Sequence, residues 1–279
     1  MTLSVAPQKA EPGAIVRLTL GGLARRDSVR AIRGEMVGEP LHFVRADSGR
    51  WRAIGPVPVD AAKSVSARVV VTLASGRVDT ARARVEVPPF VPPKTEPLTV
   101  DTGFMRLDSA GIARVNRDNA KAREIGRRSH DTRRFWSDAF LKPRGSAQTS
   151  TFGTGRSFNS IVTSRHLGVD FRGKVGDTVF ASNRGVVALT EDFLLAGTVL
   201  YVDHGAGVVT GYFHLSKVMV ALGDTVSRGQ AVALVGESGR VTGSHLHWSA
   251  RYGSLTVNPF DLVALDRRWY SCAGVPACE

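Results

Sequence analysis

Cysteine is nearly absent from this 279-residue chain: Cys272 and Cys278, close to the C-terminus, are the two present. A lone C-x5-C pair is too sparse for a structural zinc site, which draws four ligands. The pair is therefore expected to be a disulfide closing a small loop, which suits an oxidising compartment. Long apolar runs are missing as well. Stretches such as Val69 to Leu73 and Ala231 to Val235 fall far short of the roughly 20 residues that cross a bilayer, so no membrane span is expected. Met1 to Ala10 has neither a basic start nor an apolar core, and no signal peptide is read there. Acidic residues are in the minority, 25 Asp and Glu against 37 Lys and Arg, giving a formal charge of +12. Such a charge draws polyanions through a long-range, salt-sensitive field. No nucleic-acid-binding signature accompanies it, so nucleic acid is not an expected partner.

What the chain does contain divides it into segments. From Ala14 to Val87 short runs alternate apolar and polar residues, as in Val16, Leu18 and Leu20 and again in Val69, Val71 and Leu73. Ser75-Gly76 then leads into Val78 to Val87, which predicts a hairpin. Residues 1–87 are expected to form a β-sandwich-like domain whose role, docking or packing alone, is not legible. Pro88, Pro89, Pro92, Pro93 and Pro97 make 88–107 a stiff linker unable to continue a ladder. Residues 108–142 form a short basic helical segment, in which eight Lys and Arg from Arg114 to Arg134 face Asp118, Glu124 and Asp131. It is either a solvated helical face or a docking face for polyanions.

Residues 143–265 return to glycine-punctuated strands, and 266–279 form a tail with the cysteine pair. Val175-Gly176-Asp177-Thr178-Val179 is echoed by Leu222-Gly223-Asp224-Thr225-Val226, suggesting two similar hairpins in a compact β-structure. Biotin and lipoyl carrier domains share such a pattern. They require a lysine at a hairpin tip, and none lies between Val226 and Gly239.

The residues with most chemistry are His166-Leu167-Gly168-Val169-Asp170 and His245-Leu246-His247-Trp248. Positions four apart on a straight strand lie about 13 Å apart, too far to share one cation. The first segment must therefore bend, and Gly168 permits that. His245 and His247 project from one face of a strand about 7 Å apart, so one can bind metal while the other faces water or substrate. Two imidazoles and one carboxylate make a catalytic rather than structural zinc set, since structural sites use four protein ligands. Zinc in such a set lowers the pKa of water toward about 7 and polarises a carbonyl. His214 and His245 are the candidates for a further base or charge stabiliser. His42 and His130 are taken as surface residues and His204 as a turn residue.

These segments resemble the lysostaphin/LytM-type zinc endopeptidases of peptidoglycan. The resemblance runs in order through Thr151-Phe152-Gly153, Arg156-Ser157-Phe158-Asn159, His166 to Phe171, Ala181 to Val187, Tyr201 to Gly205, Tyr212 to Ser216, Gly223 to Val226, Gly239 to Trp248 and Asn258-Pro259. It covers about 120 residues, nearly half the chain. It implies that one catalytic Zn2+ is bound by His166, Asp170 and His247, and that His214 and His245 serve catalysis beside it. Which of these two orients or deprotonates the water, and which stabilises the oxyanion, stays open.

The implied fold is mainly β, an antiparallel sheet with a long groove for an extended peptide. The implied substrate is the peptide stem of peptidoglycan, cut at a cross-link or bridge in the periplasm or outside the cell by a monomeric enzyme. Relatives that have lost zinc ligands act as non-catalytic regulators of other wall hydrolases. Here all five polar positions are present. Asn159 and Ser160 stand where some members carry a tyrosine ahead of the first zinc histidine, so that tyrosine's role is not carried over.

Overall fold

The computed structural model describes residues 1–23, 28–47, 49–100, 103, 107–160 and 162–265. The expected disulfide between Cys272 and Cys278 lies outside the described residues. Two compact units are present among the described residues: Met1–Phe90 with Ser137–Ala139, Ala264 and Leu265, and Val91–Trp136 with Phe140–Val263.

The first unit contains β1 (Thr2–Ala6), β2 (Ile15–Gly21), β3 (Val29–Met36), β4 (Glu39–Leu41), β5 (Val44–Asp47), β6 (Arg50–Pro56), β7 (Lys63–Leu73) and β8 (Val78–Val87). They form two four-stranded antiparallel sheets, ordered β1-β2-β6-β5 and β4-β3-β7-β8. Strand periodicity explains the packing: every second residue of β7, from Val65 through Ala67, Val69 and Val71 to Leu73, is buried. Val16 and Leu18 of one sheet share a core with Val65, Ala67, Val85 and Val87 of the other, which is the expected sandwich. The hairpin read from the sequence is β7–β8, paired from Lys63↔Val87 to Thr72↔Val78. Gly76 takes φ +85° in its turn, where a side chain would be strained.

The second unit contains β9 (Thr95–Leu98), α1 (Ser109–Ser129), β10 (Gln148–Ser150), β11 (Gly155–Phe158), β12 (Val162–Arg165), β13 (Val169–Arg172), β14 (Thr178–Phe180), β15 (Gly185–Phe193), β16 (Gly197–Gly205), β17 (Val208–Val218), β18 (Thr225–Val226), β19 (Ala231–Val235), β20 (His245–Tyr252), β21 (Leu255–Val257) and α2 (Pro259–Val263). Its main sheet is antiparallel and runs β10-β13-β20-β17-β16-β15-β18, with β14, β19 and β21 attached. Phe171, Leu200, Tyr212, Leu246 and Trp248 are fully buried in its core.

The internal echo is structural. Asp177 and Asp224 each accept a backbone N–H three residues upstream, from Lys174 at 2.9 Å and Ala221 at 2.8 Å. Gly176 and Gly223 take φ +92° and +87°, and β14 and β18 follow.

Two boundaries differ from the sequence expectation. The proline-rich stretch does enter a ladder: β9 pairs in parallel with β11, Pro97 opposite Ser157. It is an edge strand of the three-stranded sheet β12-β11-β9, where proline's missing N–H is tolerated. Asn159 fixes the chain just beyond, accepting from Val100 N–H and donating to Val100 C=O, both at 3.0 Å.

The helix is α1 alone, ending at Ser129 rather than continuing to 142. Asp108 caps its start by accepting from Gly111 N–H at 2.7 Å. Ala122 and Ile125 pack on Phe193, Tyr201 and Val209. Gly126, a poor helix former, is explained by close approach: a Cβ there would lie 1.8 Å from the carbonyl oxygen of Gly253. Most of the helix's positive charge is engaged inside the unit. Lys121 pairs with Glu191, Arg127 and Arg128 pair with Glu124, and Arg114 donates to Asp192 C=O. No helix among the described residues is long and apolar enough to cross a membrane.

His204 is a buried residue of β16, not a turn residue. Its Nδ1–H donates to Arg184 C=O at 2.8 Å, and its Nε2 meets the Thr210 hydroxyl at 2.8 Å. Burial lowers its pKa from 6.5 to about 4. Between those values the unfolded chain binds the additional proton, so the stabilisation is complete above pH 6.5 and is lost as pH falls through 4. Roughly 2–3 kcal/mol is expected to disappear between pH 7 and pH 4.5. Denaturant unfolding of wild type and His204→Gln at both pH values checks this. The variant should show the shallower acid loss, and an unchanged acid loss would remove His204 as its source.

Candidate active site

The ladder between β13 and β20 sets Asp170 directly opposite His247. Both side chains are buried. His166 reaches them because the chain bends between β12 and β13 over residues 166–168. Gly168 is needed there for space: a Cβ would lie 2.4 Å from His247 Nε2 and 2.7 Å from the Trp248 carbonyl oxygen. The glycine therefore serves close approach as well as the bend.

The three donor atoms lie within 4.8 Å of one another. His166 Nε2 is 2.9 Å from His247 Nδ1 and 3.1 Å from Asp170 Oδ1, and His247 Nδ1 is 2.9 Å from the same Oδ1. Their surroundings set their state. His166 Nδ1–H donates to the Thr151 carbonyl at 2.9 Å and also faces Ser150 Oγ at 3.2 Å, which leaves Nε2 as the lone-pair atom. Ser150 in turn donates to Glu96 at 3.0 Å. Arg156 holds Asp170 Oδ2. Phe213 stacks on His247, with centroids 5.1 Å apart and planes 10° apart.

Burial opposes ionisation of Asp170, yet its close contacts with His166 and His247 outweigh it and hold the carboxyl well below its ordinary value. Burial pushes His247 down to about 4. A carboxylate and neutral imidazoles are the forms that ligate metals, so the donor chemistry fits a divalent ion such as zinc.

His214 and His245 stand beside this set, their ring centroids 4.9 Å apart. His214 sits at an irregularity of β17 with φ +60°, a backbone costing about 1–3 kcal/mol that turns its ring out of register. Its Nδ1–H donates to Ser238 C=O at 2.9 Å. Burial, reinforced by the neighbouring His245 and His247, lowers its pKa to about 3. His245 Nδ1–H donates to Gly243 C=O at 2.8 Å, and its Nε2 lies 3.8 Å from Asp170 Oδ1.

Both histidines line a groove of about 540 Å³ bounded also by Glu96, Pro97, Leu98, Arg156, Phe158, Arg172, Arg240 and residues 241–244. All five residues singled out in the sequence thus come together. Sequence reasoning missed the supporting Glu96, Ser150, Thr151, Arg156 and Phe213. Arg156 could have been noticed as an arginine inside the run that precedes the first histidine.

Comparison with known proteins agrees with this geometry. Residues 164–259 match the family model of peptidase family M23, in agreement with the lysostaphin/LytM-type resemblance of the sequence. Over 83 residues the chain is 46% identical to the peptidoglycan DD-endopeptidase ShyA of Vibrio cholerae, covering 30% of this chain and 19% of that protein. It is 38% identical over 98 residues to the DD-carboxypeptidase/endopeptidase Mpg of Neisseria meningitidis, covering 35% and 23%. The matches therefore span about a fifth of these relatives' length. A Pseudomonas aeruginosa crystal structure provisionally assigned to peptidase M23 matches 91% of this chain and 95% of its own, with TM-score 0.66 and 26% identity.

Proposed function

We propose that this protein is a zinc-dependent endopeptidase hydrolysing peptide cross-links or bridges of bacterial peptidoglycan, in the periplasm or outside the cell. The observation that carries the reading is the convergence of His166, Asp170 and His247 beside His214 and His245, which together with Asp170 line one groove. His166 Nε2, Asp170 Oδ1 and His247 Nδ1 would hold the ion. When bound, zinc supplies a Lewis acid that polarises the scissile carbonyl and acidifies water.

The chain's own groups do the rest. The groove admits an extended peptide past β13 and β20. The Nδ1–H bonds of His214 and His245 leave Nε2 of each ring as the atom available to the groove. His245 can accept a proton there and pass it to the departing amine, whereas His214, its pKa lowered to about 3, stays neutral near pH 7. Arg156 holds Asp170 in place through Oδ2. Docking to anionic wall polymers through α1 forms no part of this proposal, because most of that helix's cations are engaged within the unit. The similarity to DD-endopeptidases and to Mpg supports the substrate class.

The test is digestion of purified sacculi and defined cross-linked muropeptides by the full chain, followed by mass spectrometry. Conversion of cross-linked dimers to monomers is expected, abolished by chelation and restored by zinc. No conversion, with sacculus binding retained, would instead identify a non-catalytic wall-binding regulator.

A further inference from the structure

The groove holds more positive charge than the ligand set uses. Arg156 is committed to Asp170, and its Nε is buried without a hydrogen-bond partner. Two more guanidinium groups line the same groove, Arg172 and Arg240. Neither has an acidic partner among the described residues.

Arg172 lies two residues beyond Asp170 on the same face of β13, directly across the ladder from His245. Arg240 lies in the loop leading into β20, its guanidinium 4.1 Å from the centroid of the Phe158 ring. Stacking positions the cation and leaves its N–H edge to bind. Burial, and then repulsion from Arg156, disfavour the charged form of Arg240. A partly desolvated cation beside another cation is an unfavourable arrangement unless an anion completes it. The anion best matched to a guanidinium fork is a carboxylate.

We propose that Arg240, supported by Arg172, forms a carboxylate-binding subsite, so that the groove selects peptides bearing a free carboxylate close to the cleaved bond. Position fixes the placement: Arg172 is only about 7 Å along the strand from Asp170, within two residues of where a peptide bond would meet the metal ligands. The inference rests on the endopeptidase reading for its substrate. Within that reading it assigns preference for the acid form of a wall peptide over the amidated form.

The experiment uses two cross-linked peptides, identical except that the carboxylate beside the scissile bond is free in one and a carboxamide in the other. Wild-type, zinc-loaded full chain is expected to show kcat/KM about 10- to 100-fold higher for the acid. Arg240→Gln should bring that ratio to within about threefold of unity, and Arg172→Gln should lower it in part. The ratio is insensitive to how much variant is folded. A wild-type ratio near one, or a ratio that survives Arg240→Gln, overturns the proposal while leaving the endopeptidase reading intact.

Calorimetric binding of both peptides separates the other case. If neither peptide is cleaved yet the acid binds at least tenfold tighter through Arg240, the subsite stands and the endopeptidase reading fails. If neither is cleaved and both bind alike, both fail.

Discussion

Asp170→Ala is expected to remove metal binding and wall hydrolysis together, and to cost stability as well. Asp170 is the hub of the site: one oxygen meets His166 and His247, and the other holds Arg156. Altering groups that merely support a metal ligand typically costs 10- to 100-fold in affinity or activity, so loss of a ligand should exceed roughly 100-fold. Removing the carboxylate also strands the Arg156 guanidinium in a largely buried position, at about 3–5 kcal/mol. Asp170→Asn separates the two effects, because it keeps the shape and part of the hydrogen bonding. His166→Ala removes a ligand without touching Arg156. Zinc content after dialysis, muropeptide turnover and thermal unfolding should all fall in Asp170→Ala. His166→Ala should lose zinc and turnover with a smaller stability loss. Normal zinc retention in either alanine variant would exclude that residue as a ligand.

The second large effect separates catalysis from metal binding. His245 is outside the donor set: its Nε2 is 3.8 Å from Asp170 Oδ1 and its Nδ1–H is satisfied by Gly243 C=O. His245→Ala should therefore retain a full complement of zinc while turnover falls by about 10²- to 10⁴-fold, the usual contribution of a positioned acid–base group. Zinc analysis and single-turnover kinetics on the same preparation decide it. Wild-type turnover would remove His245 from the proton-transfer role, and loss of zinc would make it a ligand.

Much of the fold and of this site was legible because strand chemistry is local. Alternation in Val65 to Leu73 fixed which face of β7 is buried, and the two-residue spacing of His245 and His247 put both rings on one face of β20. The H-x3-D spacing required a bend, and the bend is there at Gly168.

What the sequence concealed depends on residues far apart in the chain meeting at specific distances. The opposition of Asp170 and His247 is a matter of ladder register across 77 positions. The Thr151 carbonyl that orients His166 lies 15 positions before it, and nothing local to His166 announces that partner. Pro97 suggested a linker because proline lacks an N–H, but at a sheet edge that lack has no consequence. The eight-to-three excess of basic residues around α1 left both a solvated face and a docking face open. The acceptors Glu191 and Asp192 come from β15, beyond the reach of local composition. His204 carries no local mark of burial, and only the packing of β16 shows it.

In the proposed enzyme two imidazoles and one carboxylate, those of His166, His247 and Asp170, hold a single divalent ion. X-ray absorption at the zinc edge on the dialysed, zinc-reconstituted full chain, quantified per chain, addresses it most directly. One tightly held zinc per chain, with the scattering of two imidazole rings and otherwise oxygen neighbours, is the expected spectrum, falling to fewer rings in His166→Ala. Substoichiometric zinc, or a third ring or a sulfur in the coordination shell, would contradict it.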